Sequence, residues 1–191
     1  MSDDLAPALA AVQYEREFDI NSTLRSVVTK LREKGVDVGG VLQEAEILPN
    51  EDQARLYIVD IRTGKSTRIT QDRGNESRGC KLDYRGLAEI AHCITDAIEV
   101  GVNLIVINKF GRAESEGGGL LSCIADAVNA GIPVLTTVRE PYVEAWSSFH
   151  GGLATKLAGS ESAILKWCEV SCRHRSTNFL CSQSQSVAMV T

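Results

Sequence analysis

The chain has 191 residues, of which 43% are hydrophobic and 24% are charged. These proportions are those of an ordinary globular protein, and they exclude disorder along the whole chain. At this length we predict a single domain over 1–174 and a flexible tail, rich in Ser and Gln, over 175–191. The formal charge of −5 repels phosphate backbones and anionic lipids, so we expect neither nucleic acid nor a membrane surface as a partner.

Hydropathy and cysteine usage predict a cytoplasmic protein. No apolar run approaches the roughly 20 residues of a bilayer span, and Met1–Leu5 is acidic rather than a basic signal segment. The six cysteines are scattered along the chain and are expected to be reduced. The spacing of Cys168, Cys172 and Cys181, with His174, matches no standard zinc pattern, so we predict no metal site and assign these thiols no role.

The first part of the chain alternates strand and helix patterns. The apolar run Pro7–Gln13 is predicted to be a buried strand. Asp19 is a good helix N-cap, and apolar residues then recur with helical spacing until Gly35, which is expected to end the helix. Val36–Gln43 is the next predicted strand, which makes a βαβ unit with parallel strands.

The middle of the chain predicts an antiparallel ribbon. The polar residues 44–54 are interpreted as a loop. The runs 55–61 and 65–70 flank a hairpin turn, in which Gly64 is expected to supply the positive φ. The polar segment 71–80 is interpreted as another loop.

The second half predicts helices packed on a central strand. Leu104–Ile107 is the most apolar and β-branched run, which is typical of a strand covered on both faces. The other predicted elements are helices near 87–98, 117–129, 142–149 and 162–172 and a strand over 132–138. The pattern predicts a three-layer α/β fold with a mostly parallel sheet and an inserted antiparallel β-ribbon.

The loop at 13–23 follows the first strand, at the sheet edge where parallel α/β proteins bind ligands. A P-loop there would need glycines and a lysine to surround and neutralise phosphates, and both are absent. What remains is a helix N-terminus at Asn21 and a hydroxyl, Ser22 or Thr23, at the place of the magnesium ligand. The alternative interpretation is that Asp19 or a neighbour simply caps the helix.

The loop at 108–118 follows the central strand. It begins with Asn108 and Lys109, where nucleotide hydrolases usually have two acids that hold magnesium and polarise water. Lys109, Arg112 and the backbone of Gly117–Gly119 are candidate donors to an anion. The alternative is a solvated loop with a glycine hinge.

The order of elements and several short segments resemble one family over roughly residues 7–170. These segments are Val41–Gln43, Gly79–Asp83, Asn108–Gly111 with Glu114 and Gly117-x-Gly119, and Tyr142-x-x-x-Trp146-x-x-Phe149 before Gly151–Gly152. They resemble an uncharacterised bacterial family related to small P-loop nucleoside-triphosphatase and nucleotide-kinase-like proteins, with degenerate Walker motifs and an association with molybdate-transport genes. The resemblance implies a P-loop-like fold, whereas hydrolysis does not follow from it.

The resemblance and the two loops together indicate a non-hydrolysing or weakly active protein that binds a nucleotide or small oxyanion, in the setting of molybdenum metabolism. The predicted binding residues are Asn21, Ser22, Thr23, Asn108, Lys109, Gly111, Arg112 and Glu114. In this hypothesis Lys109 balances the charge of the anion and Glu114 orients the loop. A nucleotide with Mg²⁺ is the cofactor that the resemblance implies, the expected partner is a small anionic ligand, and an oligomer is compatible with the sequence.

Two alternatives remain open. The first is an active nucleoside triphosphatase with an unconventional site, in which Glu114 or Glu116 replaces the missing acid and Lys109 the missing lysine. The second is an interaction module whose pocket is vestigial.

Overall fold

The computed structural model describes residues 8–46, 55–69 and 84–173. The strands are β1 (Leu9–Gln13), β2 (Val38–Glu46), β3 (Arg55–Asp60), β4 (Ser66–Arg68), β5 (Leu104–Ile107), β6 (Val134–Val138) and β7 (Thr155–Leu157). The helices are α1 (Ile20–Glu33), α2 (Tyr84–Val100), α3 (Arg112–Ser115), α4 (Leu121–Asn129), α5 (Val143–His150) and α6 (161–173). The loop predicted at 71–80 and the tail predicted at 175–191 lie outside the described residues.

The strands form one sheet in the order β4-β3-β2-β5-β6-β1-β7. The strands from β2 through β5, β6 and β1 to β7 are parallel, and β3 and β4 add an antiparallel ribbon beside β2. The ribbon turns at Gly64, whose φ is +72° and whose N–H donates to the carbonyl of Asp60. The predicted α/β class, the mostly parallel sheet and the inserted ribbon are thereby confirmed.

Side chains alternate between the two faces of the sheet along each strand. Apolar residues therefore lie on both faces, and helices pack against both. In β5, Ile105 and Ile107 join the apolar cluster that contains residues of α2, α4 and α5. Leu104 and Val106 join the opposite cluster, with α1 and α6. All four side chains are fully buried, as predicted for a central strand.

Local signals set the ends of α1 as predicted. Asp19 is the N-cap, and its side chain accepts a hydrogen bond from the N–H of Ser22. At the other end Gly35 adopts a φ of +77° and donates its N–H to the carbonyl of Arg32. A glycine is favoured there because other residues are strained at positive φ.

Some predicted boundaries were wrong, and one short helix and one strand were missed. The segment 44–54 was predicted to be a loop, but β2 continues to Glu46 because β3 pairs with it; residues 47–54 lie outside the described residues. The loop over 108–118 contains α3, and α4 begins at Leu121 rather than 117. Strand β7 was missed because three residues at a sheet edge carry no detectable periodicity.

In the described part of the chain, no helix has the length and apolar character needed to cross a bilayer.

Candidate functional site

Asn108 connects three elements at the carboxyl edge of the parallel strands. It follows β5, and its side chain is 1% exposed. Its Nδ2 donates to Oδ1 of Asn21 in the first turn of α1 at 2.7 Å, and the hydroxyl of Thr137 in β6 donates to its Oδ1 at 2.8 Å. These bonds satisfy both ends of a buried amide and bring the two predicted loops together.

Tyr14, the first residue after β1, extends this polar network. Burial raises the pKa of the Tyr14 phenol, against the opposing effects of the Arg139 charge and of hydrogen bonds with Thr137 and Arg139. The phenol therefore stays neutral near pH 7. The prediction missed Tyr14, Thr137 and Arg139, although two threonines in an otherwise apolar strand already indicate buried hydroxyls that need partners.

The carboxylate of Asp19 caps the N-terminus of α1, where a ligand anion would otherwise bind. The side chain accepts the N–H of Ser22 at 3.1 Å, and the hydroxyl of Thr23 donates to the Asp19 carbonyl at 3.0 Å. The hydrogen bond with the Ser22 hydroxyl is the main cause of a lowered pKa of Asp19, and the N–H of Ser22 adds to it. An anion would therefore meet this carboxylate at the helix N-terminus.

Glu114 holds the loop after β5 in place. Its carboxylate is buried and accepts the N–H of Gly111 at 2.9 Å and the N–H of Leu120 at 3.0 Å. Gly119 makes this possible, because a Cβ at that position would lie 2.0 Å from Oε1 of Glu114. Glu114 and Gly111 thus shape the loop from inside.

The glycine run beyond α3 is a turn. The N–H of Gly117 donates to the carbonyl of Glu114 at 3.1 Å, and the N–H of Gly118 donates to the carbonyl of Ala113 at 2.9 Å. Because these two amides already have backbone partners, they are poor candidates for the anion donors considered above.

Two cations lie on the same loop. Lys109 is half-buried, and its aliphatic chain runs along Gly111, with Cε 3.7 Å from the position that a Cβ there would take. Nε of Arg112 lies 2.8 Å from Oε1 of Glu116 in a solvent-exposed pair, which raises the pKa of Arg112. The loop therefore presents positive charge next to the buried Asn108 amide.

A cavity of about 170 Å³ opens beside this loop. Five of the eight predicted binding residues line it: Asn108, Lys109, Gly111, Arg112 and Glu114. Apolar side chains from the ribbon, α2 and the start of α4 make up most of the remaining wall: Leu56, Ile58, Ile69, Leu87, Ile90 and Leu120. The other three predicted residues, in the first turn of α1, are not part of this wall.

The donor set at this edge does not suit a magnesium ion. Mg²⁺ prefers carboxylate and phosphate oxygens, whereas β5 ends in an amide and an ammonium group, Asn108 and Lys109. Within 8–46, 55–69 and 84–173, no three His, Cys, Asp or Glu side chains are grouped to hold a metal ion. Burial raises the pKa of the Cys168 thiol, so that it stays protonated; Cys181 lies outside the described residues.

The fold has a counterpart among solved structures. The solution structure of a human cancer-related nucleoside triphosphatase superposes with a TM-score of 0.61, over 92% of this chain and 97% of that one. The two sequences are 13% identical, so the likeness establishes a shared P-loop NTPase-like fold.

Sequence comparison finds a relative in Bradyrhizobium diazoefficiens. The molybdenum import ATP-binding protein ModC 2 of that organism is 38% identical over 159 residues, which make up 83% of this chain. The matched segment spans only 18% of that protein's length. The family model described as a protein of unknown function, DUF2478, matches residues 9–167. The chain belongs to this family of unknown function, and its fold is P-loop NTPase-like, as the resemblance of its short motifs predicted.

Proposed function

We propose that this chain binds a nucleotide or a small oxyanion at the carboxyl edge of its sheet and hydrolyses it slowly or not at all. The 2.7 Å hydrogen bond between Asn21 and Asn108 carries the proposal, because it holds the first turn of α1 beside the loop after β5 that contains Lys109 and Arg112. Parallel α/β sheets bind ligands at this edge. The names of both relatives, a nucleoside triphosphatase and an ATP-binding protein, favour a nucleotide.

Lys109 and Arg112 supply the positive charge in this proposal. The Arg112 pair with Glu116 is exposed and hence weak, so Arg112 can exchange its partner for a ligand at little cost. The oxygen of Asn21 accepts from Asn108, which leaves the Asn21 amide nitrogen as a donor. The N–H of Ser22 becomes available only when the Asp19 carboxylate moves away, and the hydroxyl of Thr23 only when it leaves the Asp19 carbonyl.

The surroundings of the two candidate acids argue for weak hydrolysis. A catalytic acid or base must reach water or the phosphate. Both carboxylate oxygens of Glu114 already accept backbone N–H groups, and Glu116 is exposed and does not line the cavity. Neither carboxylate is poised to activate water in this arrangement.

Binding is tested by titrating the chain with ATP, GTP and molybdate and measuring thermal stability and heats of binding. A ligand of the folded state should raise the melting temperature. Lys109→Ala should lower the affinity about tenfold, since one charge-assisted contact is lost. The matched control is Lys166→Ala, which removes an exposed cation of the same kind from α6. Equal affinity in Lys109→Ala and the wild type would contradict the proposal.

Hydrolysis is tested separately by phosphate release from ATP and GTP with Mg²⁺. We expect no turnover above background. Rapid turnover that Glu114→Gln abolishes would instead favour an active nucleoside triphosphatase. No response to any of these anions would leave the interaction module as the better hypothesis.

The molybdenum setting is supported by the name of the ModC 2 relative. Molybdate and sulfate carry the same charge, so a larger thermal shift with molybdate would favour a role in molybdenum metabolism. Equal shifts with the two anions would reduce that role to general anion binding.

A further inference from the structure

The ribbon builds an apolar wall above the sheet edge. The parallel pairing of β2 with β5 ends at Val41, opposite Ile107, but β2 continues to Glu46 paired with β3. This extension places Leu56 and Ile58 of the ribbon over α2, where the cavity lies between them and the helix. The cavity therefore adjoins the proposed anion site on the side of the sheet opposite α1.

The volume and lining of the cavity indicate what it can hold. Protein interiors are close-packed, so apolar walls around an unfilled space lose contacts that a ligand would restore. An enclosed apolar cavity of about 150 Å³ in another protein binds benzene, which gives the size of group that a pocket of this volume can hold. At about 170 Å³, this cavity fits one aromatic ring or a branched alkyl group.

The polar side of the same cavity indicates what must be attached to that group. Asn108, Lys109, Arg112 and Glu114 all line it, so the apolar space and the two cations are adjacent. The Glu114 carboxylate is neutralised in part by the N–H groups of Gly111 and Leu120, whose hydrogen bonds it accepts. Ligand sites commonly combine an apolar body with a few convergent polar groups. An inorganic oxyanion would engage the cations and leave the apolar walls without a partner.

We propose that the cavity receives the apolar part of a small organic anion, so that the ligand of this edge is a carboxylate or phosphate ester with one compact apolar group. This inference rests on the proposed function, since Lys109 and Arg112 hold the anionic end. It favours an organic ligand over molybdate or free phosphate.

The test compares phenyl phosphate with methyl phosphate, which share the anionic group and differ in the apolar one. NMR titration of the whole chain should give an affinity for phenyl phosphate about 10 to 100 times higher, because only its ring fills the cavity. Leu87→Phe places a ring into the cavity from a half-buried position and should remove this preference while methyl phosphate still binds. Leu165→Phe, half-buried on α6 at the opposite face, is the matched control and should keep it.

Three results would overturn the inference, and they are distinguishable. If both phosphates bind equally and both need Lys109, the cavity takes no part, and the proposed anion binding stands. If neither phosphate binds but ATP does, the inference fails and the proposed function stands. If neither phosphate binds and ATP, GTP and molybdate do not bind either, both fail. Should Leu87→Phe not fold, as judged from circular dichroism, Leu56→Phe fills the same cavity from the ribbon.

Discussion

The loops after β1 and β5 lie at the same edge of the sheet but differ in what they offer a ligand. After β1, the carboxylate of Asp19 binds the first turn of α1. After β5, the carboxylate of Glu114 is turned inwards, and Lys109 and Arg112 face the cavity. Each loop thus contains one carboxylate that accepts backbone N–H groups. In the loop after β5 the Glu114 carboxylate shares the cavity wall with two cations, Lys109 and Arg112, and its two oxygens already accept backbone N–H groups.

This difference shows how two loops at one edge of a sheet can share an architecture and differ in the charged groups that they present to a ligand. A P-loop would concentrate phosphate donors after β1, where this chain has a helix cap. The two cations that line the cavity lie after β5, on a loop whose shape depends on the backbone hydrogen bonds of the buried Glu114 carboxylate. We therefore expect substitutions in the second loop to alter both stability and binding, and substitutions in the first to alter binding alone or stability slightly.

Gly119→Ala should have the largest effect on stability, about 3 to 4 kcal/mol. The added Cβ would displace the Glu114 carboxylate and free two buried N–H groups, in addition to the strain of a φ of +62°. Gly117→Ala is the matched control, since it has a similar φ with no atom near the new Cβ, and should cost about 1 kcal/mol. Denaturant unfolding measures both, and equal losses would show that the Glu114 contacts matter little.

Asn108→Ala should destabilise the chain by about 2 to 3 kcal/mol. It removes the oxygen that accepts from the buried hydroxyl of Thr137 and the amide that donates to Asn21. Asn129→Ala, at the exposed end of α4, should change stability by less than about 0.5 kcal/mol. A loss below about 1 kcal/mol for Asn108→Ala would mean that the two loops are held together by something else.

Asp19→Asn should strengthen anion binding about threefold to tenfold. Asn caps helices about as well as Asp, so the substitution removes a like charge beside the proposed site while α1 keeps its N-cap. Calorimetric titration with ATP at low salt measures the change. An unchanged or weaker affinity would show that the first turn of α1 takes no part in binding.

The smallest expected effect is the pH dependence of the stability that the Asp19 carboxylate gives to α1. The pKa of Asp19 is lowered in the folded chain by its hydrogen bonds with Ser22, so its stabilising contribution is fully present above the ordinary carboxyl pKa. That contribution is lost as the pH falls through the lower, folded pKa, and the exposure of Asp19 keeps it small. The difference in melting temperature between the wild type and Asp19→Asn should therefore shrink from pH 6 to pH 3. A constant difference over this range would contradict the lowered pKa.

Local signals in the sequence predicted the parts of the fold that depend on neighbouring residues. The cap at Asp19, the end of α1 at Gly35 and the central strand Leu104–Ile107 all depend on contacts within a few residues or on continuous burial. Strand β7 was missed because its three residues gain their structure only by pairing with β1.

The candidate site was predictable only in part, for a similar reason. Parallel strands end at one edge, so placing Asn21 and Asn108 near each other followed from the topology. The occupation of the first turn of α1 by Asp19 depends on side-chain geometry. The cavity was unpredictable, because its walls come from the ribbon, α2 and the loop after β5, which are separated along the chain.

Amide NMR mapping of bound ATP compares the two loops most directly. We expect the largest shifts at Lys109, Gly111 and Arg112, with smaller shifts at Ser22 and Thr23. Shifts confined to the first turn of α1, or absent from both loops, would contradict binding at the loop after β5.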